Sequence, residues 1–258
     1  MTQYLLLDQQ NGALEKVFSG KFQKPQVDYL FKDTELADYK EQSPLLIEDN
    51  TATSNYRSFL EKNAGLIVTS SFPKKSVIQQ LKYILIVYVT TEHKGLFRYY
   101  DPYIASYFFT SLSEQEAAQW LGPISRIEWY NITWRNRVFE SDKWQFWDNK
   151  LVNDWQSNQQ KTQPTPILGK NQHLALQDMQ EEKFAYHWQQ NLTENTNNAG
   201  IDQVILWVKQ GIQDGFNTEV NLKQYLAIRA KYPTKNKPEE WPTDNLEHRL
   251  IYLEHYFA

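Results

Sequence analysis

The residues able to do chemistry are few and poorly arranged for it. Five histidines, His93, His173, His187, His248 and His255, are the candidates for proton transfer or metal ligation. His248 and His255 share a helical face but lie about 10 Å apart along the axis, too far to hold one metal. No pair has the i, i+4 spacing of a helical zinc site. His93 falls in an expected hairpin turn, where a solvated side chain is the ordinary outcome. With no cysteine, a thiol nucleophile, a disulfide framework and a thiolate-ligated zinc are excluded. Ser70-Ser71 ends an expected strand but lacks the glycines of a nucleophile elbow. The nine glycines form neither a phosphate loop nor a dinucleotide fingerprint. The acidic pairs Asp33/Glu35, Glu48/Asp49 and Glu239/Glu240 are of the right type for general acid–base work, yet such pairs ordinarily solvate surfaces or cap helices. The expectation is a protein that is not an enzyme and uses no cofactor or metal. Triads assemble in space and not in sequence, so an α/β hydrolase-like enzyme with Asp101 and a histidine as acid–base partners stays open as the alternative.

One segment stands above this background: Leu96-Phe97-Arg98-Tyr99-Tyr100-Asp101-Pro102. It reads as a buried strand running into a helix start, with Asp101 as the cap and Pro102 preorganised at the first helical position. Arg98 is expected to pair with Asp101 and orient that junction. Its first role is to maintain the fold.

The elements that would position these residues follow from periodicity. Residues 4–7 form an uninterrupted apolar run, as in a strand covered on both faces. Strands are also expected at 27–31, 45–47, 66–69 and 83–90. Helices are expected at 12–19, 34–41, from Ser54 to a stop at Gly65, and at 76–82. Strands at 83–90 and 96–100 flank His93-Lys94-Gly95 as a hairpin. Ser113-Glu114-Gln115-Glu116 matches a capping box, opening a helix that stops at Gly122-Pro123. Residues 127–134 give one more strand. The alternation points to an α/β (α+β) N-terminal domain, a mixed or mainly parallel sheet flanked by helices. Helices at 172–192, 201–213, 222–232 and 246–257 make an all-helical C-terminal lobe. The expected division is 1–140 for the α/β core, 141–166 for an aromatic connector and linker, and 167–258 for the helical lobe. The polar, proline-containing stretch 158–166 is the linker.

Composition narrows the partners. A net charge of −4, without any lysine–arginine cluster, disfavours nucleic acid. The start has no basic leader, and the longest apolar run, 83–89, is far below the roughly 20 residues that span a bilayer. A soluble, cytoplasmic protein with no membrane partner is expected. Aromatics make up 15% of the chain, with nine tryptophans. Such rings supply core but also contact anchors.

The string Phe97-Arg98-Tyr99-Tyr100-Asp101-Pro102 resembles the Phe-Arg-Phe-Tyr-Asp-Pro signature of the family known as domain of unknown function 4123. Leu6-Leu7-Asp8 after an aromatic residue, Ser43-Pro44-Leu45-Leu46-Ile47, Gly65 before a short strand, Leu81-Lys82 and Leu121-Gly122-Pro123-Ile124 are similar to that family in order and spacing. The likeness covers roughly residues 4–130. Leu45, Tyr99 and Leu121 depart from the family's more common residues but keep each position apolar. The resemblance implies a cytoplasmic adaptor chaperone of type VI secretion. Its partners would be an effector (toxin) protein and the VgrG spike protein onto which the effector is loaded. An immunity protein that neutralises the effector is the other binding alternative. Trp144, Trp147, Trp155 and Trp188 are the candidate cargo-binding residues, and their replacement by alanine is expected to weaken cargo binding with the melting temperature nearly unchanged.

Overall fold

A computed structural model describes residues 1–9, 12–19, 22, 25–48, 54–156, 164–191 and 199–258. Most of the expected linker at 158–166, the carboxylate of Asp49 and much of the connection after Asn191 lie outside the described residues. The chain divides into two units, Met1–Thr133 with Ser141–Leu176, and Trp134–Glu140 with Gln177–Ala258.

The first unit is built on a sheet with helices on both faces. In chain order its elements begin with β1 (Thr2–Leu7), α1 (Ala13–Phe18), β2 (Gln26–Tyr29), β3 (Leu45–Glu48), α2 (Ser54–Leu60) and β4 (Gly65–Ser70). There follow α3 (Lys74–Tyr83), the hairpin β5 (Ile86–Tyr88) and β6 (Lys94–Leu96), α4 (Pro102–Phe108), α5 (Glu114–Leu121), β7 (Arg126–Tyr130) and β8 (Trp144–Asp148). The six-stranded sheet has the order β2-β3-β1-β4-β7-β8.

The layers are those expected, but every strand pair in the sheet is antiparallel. An apolar run such as Tyr4-Leu5-Leu6-Leu7 is what a doubly covered strand requires in either pairing. Tyr4 and Leu6 pack with α3, α4 and α5 on one face, while Leu5 and Leu7 pack with α1 and α2 on the other. The helices between strands therefore mimic a parallel crossover pattern without being one.

Two local expectations are revised. Residues 34–41 do not form an α-helix: two 3₁₀ turns occupy Ala37–Gln42, with Tyr39 non-helical between them. Gly65 does not merely stop α2 but opens β4, opposite Leu7. By contrast, the capping box at the start of α5 is complete: Glu116 N–H donates to Ser113 Oγ at 3.3 Å, and Ser113 N–H donates back to Glu116 Oε2 at 2.8 Å.

That box has a pH signature. The Ser113 backbone N–H, and then its hydroxyl, hold the Glu116 carboxyl below its usual range. Arg126, at 2.6 Å, does the same to Asp148. A carboxylate depressed in the folded state contributes stability above the unfolded pKa that is lost as pH falls through the folded one. The urea midpoint is expected to drop between about pH 5 and about pH 3, and to drop less in Glu116→Gln. Equal acid sensitivity of wild type and variant would show that the box does not carry the effect.

The second unit is helical. α6 (Lys170–Gln190), whose last two thirds fall in this unit, is followed by α7 (Ile201–Gln213), α8 (Glu219–Lys231) and α9 (Leu246–Phe257). Thr218 and Asn245 cap α8 and α9 through their side chains. Trp207, Tyr225, Phe216 and Phe257 are fully buried at its centre.

Candidate functional site

The distinctive segment at 96–102 is a corner and not a strand. β6 ends at Leu96, and Asp101 N–H donates to Arg98 O at 2.9 Å, closing a turn over Tyr99 and Tyr100. Four side chains drive the chain to turn there. Phe97 packs edge-to-face on Phe108 at 4.6 Å and on Trp120 at 5.8 Å. The Tyr99 hydroxyl donates to Leu81 O at 2.8 Å. Asp101 Oδ1 accepts from Tyr103 N–H at 2.9 Å, the cap expected of it, and Pro102 stands at the first helical position. Asp101→Ala is expected to cost about 1 kcal/mol from loss of that cap, read as a lowered urea midpoint. An unchanged midpoint would refute the capping role.

Arg98 does not pair with Asp101. Its Nη2 reaches Asp8 Oδ2 at 2.5 Å, across 90 residues of chain. The physical reason is burial. Asp8 follows the apolar run of β1 and is only 6% exposed, and a carboxylate so placed needs a cation. That requirement, a charged residue ending a doubly covered strand, was the available signal for the pair.

Electrostatics follow from the packing. Burial tends to lower the Arg98 pKa, but hydrogen bonding to Asp8 and the neighbouring negative charge outweigh it and hold the guanidinium above its ordinary value. Burial pushes the Tyr100 hydroxyl up to about 12, with the Asp8 charge adding to it. Burial also raises Asp101, opposed by its hydrogen bond from Tyr103 N–H. Arg98, Asp8 and Tyr100 face a concavity of about 360 Å³ completed by Gln9, Glu41, Gln42 and Leu96. Its polar groups can take a polar or charged group: the guanidinium has more donors than one carboxylate uses.

The remaining signature residues also act as fasteners. Gly122 ends α5 at φ 53°, ψ −113°, a conformation glycine adopts without penalty, and the side chain of Gln80 fills the space where a Cβ would stand. Gln80 Nε2 donates to Trp120 O at 2.8 Å. Pro123 O accepts from the Ser70 hydroxyl at 2.6 Å. Corner, cap and clasp thus join β1, β4, α3, α4 and α5.

Three of the four tryptophans belong to the first unit, and they do not form one surface. Trp144 and Trp147 lie on β8, which the sequence left in a connector, and they point to opposite faces of the sheet. Trp144 is half-buried beside Tyr130 (5.6 Å) with the Arg57 guanidinium over its ring at 4.9 Å. Trp147 packs against the face that holds α3, α4 and α5. Trp155 stands edge-to-face on Phe72 at 4.9 Å, over a small concavity with Gln80, Gly122 and Leu151. Trp188 belongs to the helical unit, where it is 7% exposed and part of the core. The expectation that alanine there leaves the melting temperature unchanged is therefore corrected for Trp188. Phe72 and Gln80, which support Trp155 and Gly122, carried no sequence signal.

Among the described residues no group of three or more His, Asp or Glu side chains is placed to hold a metal ion. Nor, among them, is any helix long and apolar enough to cross a membrane. No curated protein and no solved structure matches the chain. Residues 3–119 match the family model described as Domain of unknown function (DUF4123). That stretch runs from β1 through the Asp8–Arg98 pair and the capped corner to α5, and over it the chain matches the DUF4123 family.

Proposed function

We propose that this chain is a cytoplasmic adaptor chaperone that binds a type VI secretion effector and promotes its loading onto the VgrG spike protein. The observation that carries the reading is the family match over residues 3–119, within which the whole signature corner lies. The geometry supports it in a second way. The signature side chains fasten the fold, while Arg98, Asp8 and Tyr100 also line an open concavity able to take a polar or charged group of a partner. On this reading the protein acts by binding and not by catalysis, with an effector and the spike as partners.

The test is loading itself. In a strain with an active secretion apparatus, deleting this gene should abolish delivery of one effector while others are still delivered. The tagged chain should also retain that effector together with VgrG at near-stoichiometric amount. Unimpaired delivery of every effector would refute the reading. Rescue of target cells from the effector's toxicity, without any effect on its delivery, would establish an immunity protein in its place.

A further inference from the structure

The helical unit has a concavity of about 630 Å³ lined by α6 and α8. From α6 come Gln180, Lys183, Phe184, His187, Trp188 and Asn191. They recur every three or four positions, so they form one stripe along the helix, about 16 Å from end to end. Glu219 and Lys223, one turn apart on α8, line it from the other helix. The volume is that of a pocket for a single small molecule.

The stripe is apolar at its centre. Phe184 and Trp188 stand one turn apart, the first half-buried and the second buried. The methylene stems of Lys183 and Lys223 extend that surface on either side. Rings so placed suit a flat apolar body. Trp188 also brings a hydrogen-bond donor, because its indole N–H has no acceptor among the described residues.

The charges around the concavity decide what such a body must carry. Lys223 is paired with Glu219 at 2.6 Å, and Glu219 is the one carboxylate among the lining residues. Lys183 is different. The acidic residues that precede it on α6 are engaged elsewhere: Asp178 and Glu181 with Lys209, at 2.6 and 3.5 Å, and Glu182 with the Arg135 backbone N–H at 3.1 Å. Among the described residues Lys183 meets only the face of the Trp134 ring, whose centre is 5.9 Å from its Nζ. That contact leaves the three donors of the ammonium unused. His187, beside the same ring at 5.0 Å, adds positive charge when protonated. The concavity therefore sets an unneutralised cation and an unused donor next to an apolar surface, and the group that complements them is an anion on an apolar body.

We propose that this concavity binds a small aromatic carboxylate, independently of any adaptor role. The aromatic body lies against Phe184 and Trp188, and the carboxylate takes the Lys183 ammonium. Isothermal titration of the full chain with naphthoate, naphthalenemethanol and naphthylmethylammonium keeps the apolar body constant and varies the charge. Naphthoate should bind with a dissociation constant on the order of 100 μM, about tenfold tighter than the alcohol, and the ammonium should bind weakest. Lys183→Met, at an exposed position, should leave the melting temperature unchanged and bring acid and alcohol to equal affinity. Lys183→Glu should make the ammonium the tightest of the three. Absence of binding by all three at about 5 mM overturns the proposal and leaves the concavity to a protein segment. Equal affinity for acid and ammonium, or a preference for the acid that survives Lys183→Met, also overturns it.

Discussion

Replacing Gly65 by alanine is expected to destabilise the sheet unit by about 3 kcal/mol, the upper end of ordinary overpacking. The cause is steric and local. A Cβ built on Gly65 falls on the carbonyl oxygen of Leu6 in the neighbouring strand, and stands 2.9 Å from a Leu7 methyl and 3.0 Å from a Leu60 methyl. A flexible side chain could yield, but the Leu6 carbonyl belongs to β1, which is paired on both sides, to β3 and β4. Relief must separate β1 from β4 or push α2 off the sheet, and either exposes side chains that are now fully buried. Urea unfolding followed by far-UV circular dichroism reads the loss. A change under about 0.5 kcal/mol would mean the two strands accommodate the methyl group.

The second large effect is at Trp188. Its side chain packs among the buried residues of the helical unit, in one core with Ile201, Val204, Trp207 and Leu222. Trp188→Ala removes a large buried ring and leaves a cavity, for an expected cost of about 3–5 kcal/mol. Trp155→Ala is the informative control, because that half-buried ring rests mainly on Phe72 and its removal should cost much less. If both variants lost the same modest stability, Trp188 would be acting as a surface anchor. Loss of partner binding in Trp188→Ala therefore carries weight only at a temperature where the variant is shown to be folded.

These two positions also mark where the sequence was readable. Local rules located what local chemistry decides: the capping box at Ser113–Glu116, the Asp101 cap, and the bounds of α7 and α9, where apolar residues recur on one face. The direction of strand pairing was not readable from Tyr4–Leu7, because a strand buried on both faces shows no alternation to distinguish the two modes. β8 was missed for a related reason. Trp144, Phe146 and Trp147 put large rings on both faces of an outer strand, so the period-two pattern of a half-buried strand never appears. The Asp8–Arg98 pair joins residues 90 apart, and periodicity has no access to such a distance. Asp101, three residues away, was the nearer carboxylate, but it was already engaged in capping the start of α4.

The position of β1 in the sheet order has a consequence for how the chain is made. β1 leaves the ribosome before both of its partners in the sheet, β3 and β4, the latter ending only at Ser70. Until those segments emerge, Tyr4-Leu5-Leu6-Leu7 has no neighbour for either edge and no helix for either face. Because it must wait for long-range partners, the pairing is slow to form. For that interval the nascent chain displays a sticky, strand-forming apolar stretch, the kind of surface that general chaperones hold. A protein proposed to shelter others thus has, during its own synthesis, a segment in need of shelter.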